Sequence, residues 1–414
     1  MNKKILVLGV GQNNFLSFLY SKLKSFDPTV TISAPFIREL NENAKNETWM
    51  YDTNLVSHKI SFLSNVQSFF LALTDKHVYQ TFFFILFVEK KFKKSVHFLY
   101  MHIQAKAFFL ENNNFNDFDT FHFHYIQYSY IRELFLVPKG KKIVCTFWGS
   151  DLLRTNDILN FYFVKKALDK TDIITCQTLE MKEVILSKFG RHLVDKVNIE
   201  IFPVDEKIYS DIDLNRNNTA LINAFKTKYG YSSSKINIQV GHNGSIFNNH
   251  LNIIEALSSI TDKNAVHLIV NLNYALERHK KLSYKNELIK QLEQSGISFT
   301  LLEIFFLKEE LAISRLSTDI FFHMPISDAL SGTMAEMFYA NAIIITGSWL
   351  PYKTFKNNGL LYYEVSEFNQ IADKINLITS DLTSQKQKFA DNNNKIKGYF
   401  LSDKIIKKWA SILN

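Results

Sequence analysis

Two cysteines in 414 residues are too few for a disulfide framework or a zinc site. Cys145 and Cys176 each lie inside an apolar run that reads as a buried strand, so reduced, inert thiols are expected. No apolar run is long enough to cross a bilayer. The best candidate, Thr81–Val88 (TFFFILFV), is far short of the roughly 20 residues a helical span needs. A secretory leader is not expected either, because Met1-Asn2-Lys3-Lys4 runs directly into Ile5-Leu6-Val7-Leu8 and then a glycine. Low-complexity sequence is confined to Gly230–Lys235 (GYSSSK) and the Asn-rich stretch near Asn392–Asn394. These absences suit a cytoplasmic protein.

What is present is an ordinary globular composition, 46% apolar and 21% charged, in a chain too long for one core. The formal charge of +8 is uneven: residues 1–200 hold 25 Lys and Arg against 19 Asp and Glu, and 24 of the 37 phenylalanines. The apolar run Thr81–Val88 is followed by Glu89 and then Lys90, Lys91, Phe92, Lys93 and Lys94. Basic groups beside bulky apolar ones suit an anionic membrane surface, and they equally suit a core helix with a solvated basic end. No recognition motif accompanies the charge, so nucleic acid is not an expected partner.

Short β-branched or aromatic runs alternate with amphipathic stretches, the pattern of parallel sheets built from βαβ units. Strands are expected at Lys4–Leu8, Val30–Ser33, Val96–Met101, Thr120–His124, Ile143–Phe147, Asp172–Cys176 and Val197–Phe202. After a polar passage they resume at Ile236–Val240, Val266–Leu272, Ser298–Leu302, Ile320–His323 and Ile343–Thr346. The division follows: residues 1–203 form one Rossmann-like domain, 204–235 an interdomain region and 236–383 a second Rossmann-like domain. A final amphipathic stretch, 384–414, could pack back on the first. The fold class is α/β, two doubly wound domains facing a central cleft, where open α/β sheets bind ligands.

Three segments carry chemistry. Gly9-Val10-Gly11-Gln12-Asn13-Asn14 lacks the third glycine of a dinucleotide fingerprint, so a turn that lets a ligand near the backbone and a plain tight turn both remain open. Val240-Gly241-His242-Asn243-Gly244-Ser245 follows a strand and precedes a helix. It lacks the Walker lysine, and its glycines suit either a pyrophosphate cradle or an ordinary turn. The strongest segment runs Met324-Pro325-Ile326-Ser327-Asp328-Ala329-Leu330-Ser331-Gly332-Thr333-Met334-Ala335-Glu336. Ser331, Gly332 and Thr333 place small residues at a helix start, while Asp328 and Glu336 offer carboxylates to sugar and ribose hydroxyls. In the first half, His124 and Asp151 fall at expected strand ends. Each is a candidate to act as general base on an acceptor hydroxyl or to orient one. An internally bonded histidine and a helix N-cap are the competing readings, and His122 is expected to alternate away from His124 and be packed.

Asp328 and Glu336, separated by seven residues on such a turn and helix, resemble the acidic pair of the GT-B glycosyltransferases of family four, with Asp in place of the usual first Glu. The resemblance implies that Glu336 holds the ribose and Asp328 the hexose, with Gly241, Asn243, Gly244, Ser245, Ser331, Gly332 and Thr333 lining the donor. Phe121–Tyr125 is similar to that family's strand ending in His-x-His, and Thr146–Asp151 to its acceptor-side loop, which would put Trp148 and Ser150 beside the acceptor, with Gly11 of the first glycine turn the other acceptor-side candidate. Trp148–Leu152 and Gly241–His250 are also similar to segments of the bacterial transferases of 4-acetamido-4,6-dideoxygalactose in enterobacterial common antigen synthesis. The likeness spans roughly residues 121–352.

Departures accompany it. Trp148 stands where family members carry histidine. The Arg and Lys of the second phosphate turn are replaced by His242 or Asn243 and by Asn249, leaving backbone N–H groups, His250 or Lys308 to balance a leaving pyrophosphate. No Asp-x-Asp donor-metal motif is evident, so neither a metal nor a cofactor is expected beyond the nucleotide sugar as co-substrate. The resemblance implies transfer of a hexosyl-type sugar from a nucleotide donor to a glycan acceptor, lipid-linked and part of surface polysaccharide synthesis. That acceptor would set the enzyme peripherally on the inner face of the cytoplasmic membrane. A sugar-nucleotide epimerase of the same build, and a catalytically silent binding module in a polysaccharide-assembly complex, are the alternatives.

Overall fold

The computed structural model describes residues 3–9, 14–34, 53–54, 61–111, 113–275 and 278–414. The chain divides into two compact units, Met1–Pro203 with Asp403–Asn414, and Val204–Ser402.

The first unit is built on a parallel sheet that holds, among the described residues, seven strands: β1 (Lys4–Gly9), β2 (Thr31–Ala34), β3 (Thr53–Asn54), β4 (Thr120–His124), β5 (Lys142–Thr146), β6 (Ile173–Cys176) and β7 (Val197–Ile199). Their spatial order is β3-β2-β1-β4-β5-β6-β7. β4 is buried along its whole length, as expected of a parallel strand covered on both faces. Strand order reverses between β1 and β4, which opens a crevice at their carboxyl ends. Gly9 ends β1 at φ +98°, and a Cβ there would stand 2.0 Å from the His124 carbonyl oxygen. The glycine therefore serves the close approach of β1 to β4. The rest of that turn, residues 10–13 with Gly11, lies outside the described residues.

The second unit repeats the plan with six parallel strands among the described residues: β8 (Ile236–Val240), β9 (Val266–Asn271), β10 (Ser298–Leu302), β11 (Ile320–His323), β12 (Ile343–Gly347) and β13 (Tyr363–Val365), ordered β10-β9-β8-β11-β12-β13. Helices cover both faces. Ile238, Val240, Leu268 and Val270 pack with Ile253, Ile254 and Leu257 in one cluster, while Ile269 joins Phe225, Phe306 and Ile313 in the other. The α/β class and two doubly wound, Rossmann-like sheets are thus what the chain adopts.

Three segments differ from expectation. Val96–Met101 is part of the helix Phe92–Glu111, whose buried residues Ser95, Phe98 and His102 recur every three to four positions. The polar passage 204–235 holds the helices Glu206–Asn215 and Thr219–Tyr229, N-capped by Asp205 and Asn218, and belongs to the second unit. Residues 384–414 hold the end of one helix, Leu382–Phe389, and two more, Asn392–Phe400 and Lys404–Leu413. Of these only Lys404–Leu413 joins the first unit. There Trp409 is fully buried, donates its indole N–H to the Ile201 carbonyl at 2.8 Å and stacks on Phe202 at 5.8 Å. Thr120 Oγ1 donates to the Leu413 carbonyl at 3.0 Å.

Between β3 and β4 the first unit carries a helical insertion: Phe62–Thr74, Lys76–Phe83, a wider turn over Phe84–Val88, and Phe92–Glu111. Asp75 marks the junction of the first two helices and accepts the His77 N–H at 2.9 Å.

Candidate functional site

In the second unit the two motifs meet at the carboxyl ends of β8 and β11, the switch point of that sheet. Ser331 N-caps the helix Gly332–Tyr339, its Oγ accepting the Met334 N–H at 3.2 Å. The N–H groups of Gly332 and Thr333 are the first of the helix and have no intrahelical acceptor. No atom lies within 4 Å of where a Gly332 Cβ would stand, so the helix start faces open space. Glu336, one turn on, receives both Nε (2.9 Å) and Nη2 (2.8 Å) of Arg315 on a single oxygen, Oε2. The buried guanidinium thereby fixes the carboxylate, while Oε1 has no partner among the described residues.

Asp328 is held more completely. Its Oδ2 accepts from His323 Nε2 at 3.0 Å and from the Tyr352 hydroxyl at 2.7 Å, and its Oδ1 accepts the Ala329 N–H at 2.9 Å. Burial alone would raise this carboxyl, but the hydrogen bond and electrostatic pull of His323, the Tyr352 hydroxyl and nearby His242 bring it down from 3.8 to about 2. It is an anion wired into the protein, with its remaining lone pairs left for a hydroxyl ligand. The phenol of Tyr352, buried and hydrogen-bonded to that anion, is pushed far up.

The turn after β8 lies against this loop. Asn249 Nδ2 donates to the Met324 carbonyl at 2.8 Å, the Ile326 N–H to the Phe247 carbonyl at 2.9 Å, and the rings of His242 and His323 are 5.2 Å apart. Gly241 sits at φ +68°, where a Cβ would fall 2.4 Å from His250 Nε2. Several of the turn's N–H groups are spent internally. Gly241 donates to Phe322, Gly244 to Tyr274, and Ser245 to Asn243 Oδ1, which also takes Asn248 Nδ2 at 2.8 Å. A cradle made of the glycine N–H groups themselves does not fit this geometry. Polar side-chain atoms do remain unmatched nearby: His242 Nδ1 and His323 Nδ1 are buried without a hydrogen-bond partner among the described residues. Burial holds His242 down at about 3 and His250 at about 4, so both imidazoles are neutral. The Lys308 side chain lies outside the described residues.

In the first unit His124 and Trp148 also converge, but as a locked network. Tyr20 Oη bonds His124 Nε2 at 2.8 Å and His122 Nδ1 at 2.9 Å, and Trp148 Nε1 donates to His124 Nδ1 at 3.3 Å. His122 Nε2 continues to Thr146 Oγ1 at 2.7 Å. His122 lies on the same face as His124, rings 3.9 Å apart, because residues two apart on a strand share a face. Both histidines are fully buried. Burial pushes His122 down to about 3 and His124 well below its ordinary value, the latter with help from His122. His124 is fully buried with both ring nitrogens hydrogen-bonded, the arrangement of the internally bonded histidine. Asp151 is equally enclosed: its carboxylate accepts the N–H groups of Ile126 (2.7 Å), Trp148 (3.0 Å) and Gly149 (2.8 Å). Burial lifts it to about 6 against the pull of those donors. It shapes the loop ahead of the short helix Ser150–Leu153, on which Ser150 Oγ meets the Tyr125 hydroxyl at 3.0 Å.

Sequence reasoning missed Tyr20, Arg315, His323 and Tyr352. His323 alone carried a local signal, as the last residue of a strand directly before the motif.

Two Rossmann-like units in succession, with the acid-bearing helix start in the second, define the GT-B fold. Among solved structures the chain is similar, over 100% of its length and 98% of the other's, to a glycosyltransferase from Rickettsia africae (TM-score 0.70, 14% identity). It is similar to Anabaena HepE in complex with UDP and glucose over 100% and 99% (TM-score 0.64, 11% identity). A UDP-forming α,α-trehalose-phosphate synthase from Burkholderia vietnamiensis matches over 99% of each chain (TM-score 0.65, 10% identity). No family model matches the chain, and no curated protein matches it in sequence. At such identities the likeness carries the fold.

Proposed function

We propose that the protein is a glycosyltransferase that moves a hexosyl-type sugar from a nucleotide donor to a glycan acceptor, lipid-linked and belonging to a surface polysaccharide. The observation that carries this reading is the open helix start at Ser331-Gly332-Thr333 with the half-satisfied carboxylate of Glu336 one turn behind it. The N–H groups of Gly332 and Thr333 and the positive end of the helix would receive the diphosphate, and Glu336 Oε1 would accept a ribose hydroxyl. Asp328, already anionic, would accept from the sugar. The fold similarity to HepE, crystallised with UDP and glucose, supports a nucleotide-sugar donor here.

In the transfer itself, an acceptor oxygen forms a bond to the anomeric carbon as the bond to the diphosphate breaks. The electron pair leaves with the diphosphate, towards the helix N-terminus, and the acceptor hydroxyl's proton passes to the departing diphosphate oxygen. His124 and Asp151 act in this reading as positioning residues, holding the Trp148 loop, and neither takes up the acceptor proton. By the resemblance, neutral His242 or Asn243 and Asn249 stand where related enzymes place an Arg and a Lys, so backbone donors carry more of the diphosphate charge.

A panel of nucleotide sugars, screened by thermal stabilisation, identifies the donor. Glu336→Gln should then weaken its binding by about 10- to 100-fold, the worth of one hydrogen bond to a charged group. Unchanged affinity in a variant that melts normally removes the assignment.

A further inference from the structure

We propose that the helical insertion of the first unit, residues 61–111, is a docking face for an anionic lipid surface. The proposal stands independently of the donor site. Its apolar side chains point outward in ridges spaced by four residues: Tyr79 and Phe83 on one helix with Phe87 in the wider turn that follows it, and Phe92, Val96 and Tyr100 on the next helix. Phe83 and Phe87 stack on each other at 5.7 Å while remaining largely in solvent, and Phe92 is 65% exposed. At the start of the insertion Phe62 and Leu63 are 84% and 76% exposed. Scattered exposed apolar residues are ordinary, but this density within one insertion marks an interaction surface.

Charge selects the occupant. Residues 61–111 contain three acids, Asp75, Glu89 and Glu111, and Glu111, at the far end of the insertion, accepts the Ser61 N–H at 2.6 Å. Glu89 is turned inward, 4% exposed, bonded to Lys94 Nζ at 2.8 Å and to the Leu159 N–H at 3.1 Å. Asp75 caps a helix and lies 4.0 Å from the buried His102. Lys76, Lys90, Lys91 and Lys93 are exposed, so the insertion that carries the exposed phenylalanines presents positive charge to solvent. A second copy would set lysine against lysine. A bilayer with anionic headgroups accepts the rings at the acyl boundary and the ammonium groups at the phosphates. No described helix is long and apolar enough to cross a membrane, so the contact is one of surface docking.

The test is co-sedimentation of the full chain with phosphatidylcholine vesicles, with and without phosphatidylglycerol. Binding should require phosphatidylglycerol and fall with added salt. The triple variant Lys90→Gln, Lys91→Gln, Lys93→Gln should bind about a hundred-fold more weakly, at roughly five-fold per lysine. Phe87→Ser with Phe92→Ser should abolish binding while circular dichroism stays unchanged, since both rings are exposed. Binding that is absent at low salt, or equal for wild type and both variants, overturns the proposal. So does lipid-free self-association of the wild type that Phe87→Ser with Phe92→Ser removes, which would assign the face to a second copy.

Discussion

Replacing Asp328 with Asn tests whether the carboxylate is the electrostatic keystone of the loop after β11. Its pKa falls from 3.8 to about 2 in the folded chain. That difference contributes about 2 kcal/mol to stability at pH 7, an upper figure because the side chain is 31% exposed and partly screened. The sign follows from proton binding. The folded carboxyl is the stronger acid, so the contribution is complete above the unfolded value of 3.8 and disappears as pH falls through about 2. At pH 3 roughly half should remain. Asn keeps the shape but carries no charge, and its loss of hydrogen-bond strength is independent of pH. The stability gap between wild type and Asp328→Asn should therefore narrow from pH 7 to pH 3 by about 1 kcal/mol. Hydrogen-exchange protection of peptides covering Ile320–Tyr339, corrected for intrinsic rates, reads that gap locally and avoids assuming that the two units unfold together. A gap of the same size at both pH values would mean that the contacts from His323 and Tyr352 are steric, and that the anion contributes nothing.

Gly241→Ala should destabilise the second unit by more than about 1 kcal/mol, because it adds a Cβ at positive φ and drives it into the His250 ring; an unchanged urea midpoint would contradict this. Trp409→Ala should cost the first unit about 3–5 kcal/mol through the cavity and the Ile201 carbonyl left unpaired. Differential scanning calorimetry should show one transition moved and the other in place, and a uniform shift of both would refute the assignment of Trp409 to the first unit alone.

The sheets were readable in the sequence because buried parallel strands are short apolar runs, as in Ile320–His323 and Ile343–Gly347. The same rule misled at Val96–Met101, where a run of apolar letters sits on a helix whose buried positions are three to four apart. The helix Glu206–Asn215 escaped notice because its stripe of Ile208, Tyr209 and Ile212 is interleaved with charges. At the site, the glycines and the acid pair could be located from local pattern alone. What those acids touch could not: Arg315 reaches Glu336 and Tyr352 reaches Asp328 from separate elements, and only the packed sheet brings them together. The choice between a proton-carrying and an internally bonded role for His124 and Asp151 was out of reach for the same reason. Position at a strand end says that a residue is near a crevice, while burial decides whether it can exchange a proton with anything there. His122 was decidable from its spacing, since two residues on is the same side of a strand.

The helix Lys404–Leu413 closes the first unit although the chain builds the entire second unit before reaching it. During synthesis, the sheet holding His122 and His124 waits with a vacant groove where Trp409 will insert, while the later half already has all its strands. The unit begun first is completed only after the second, and a lesion in Lys404–Leu413 would be felt in a sheet built from much earlier residues.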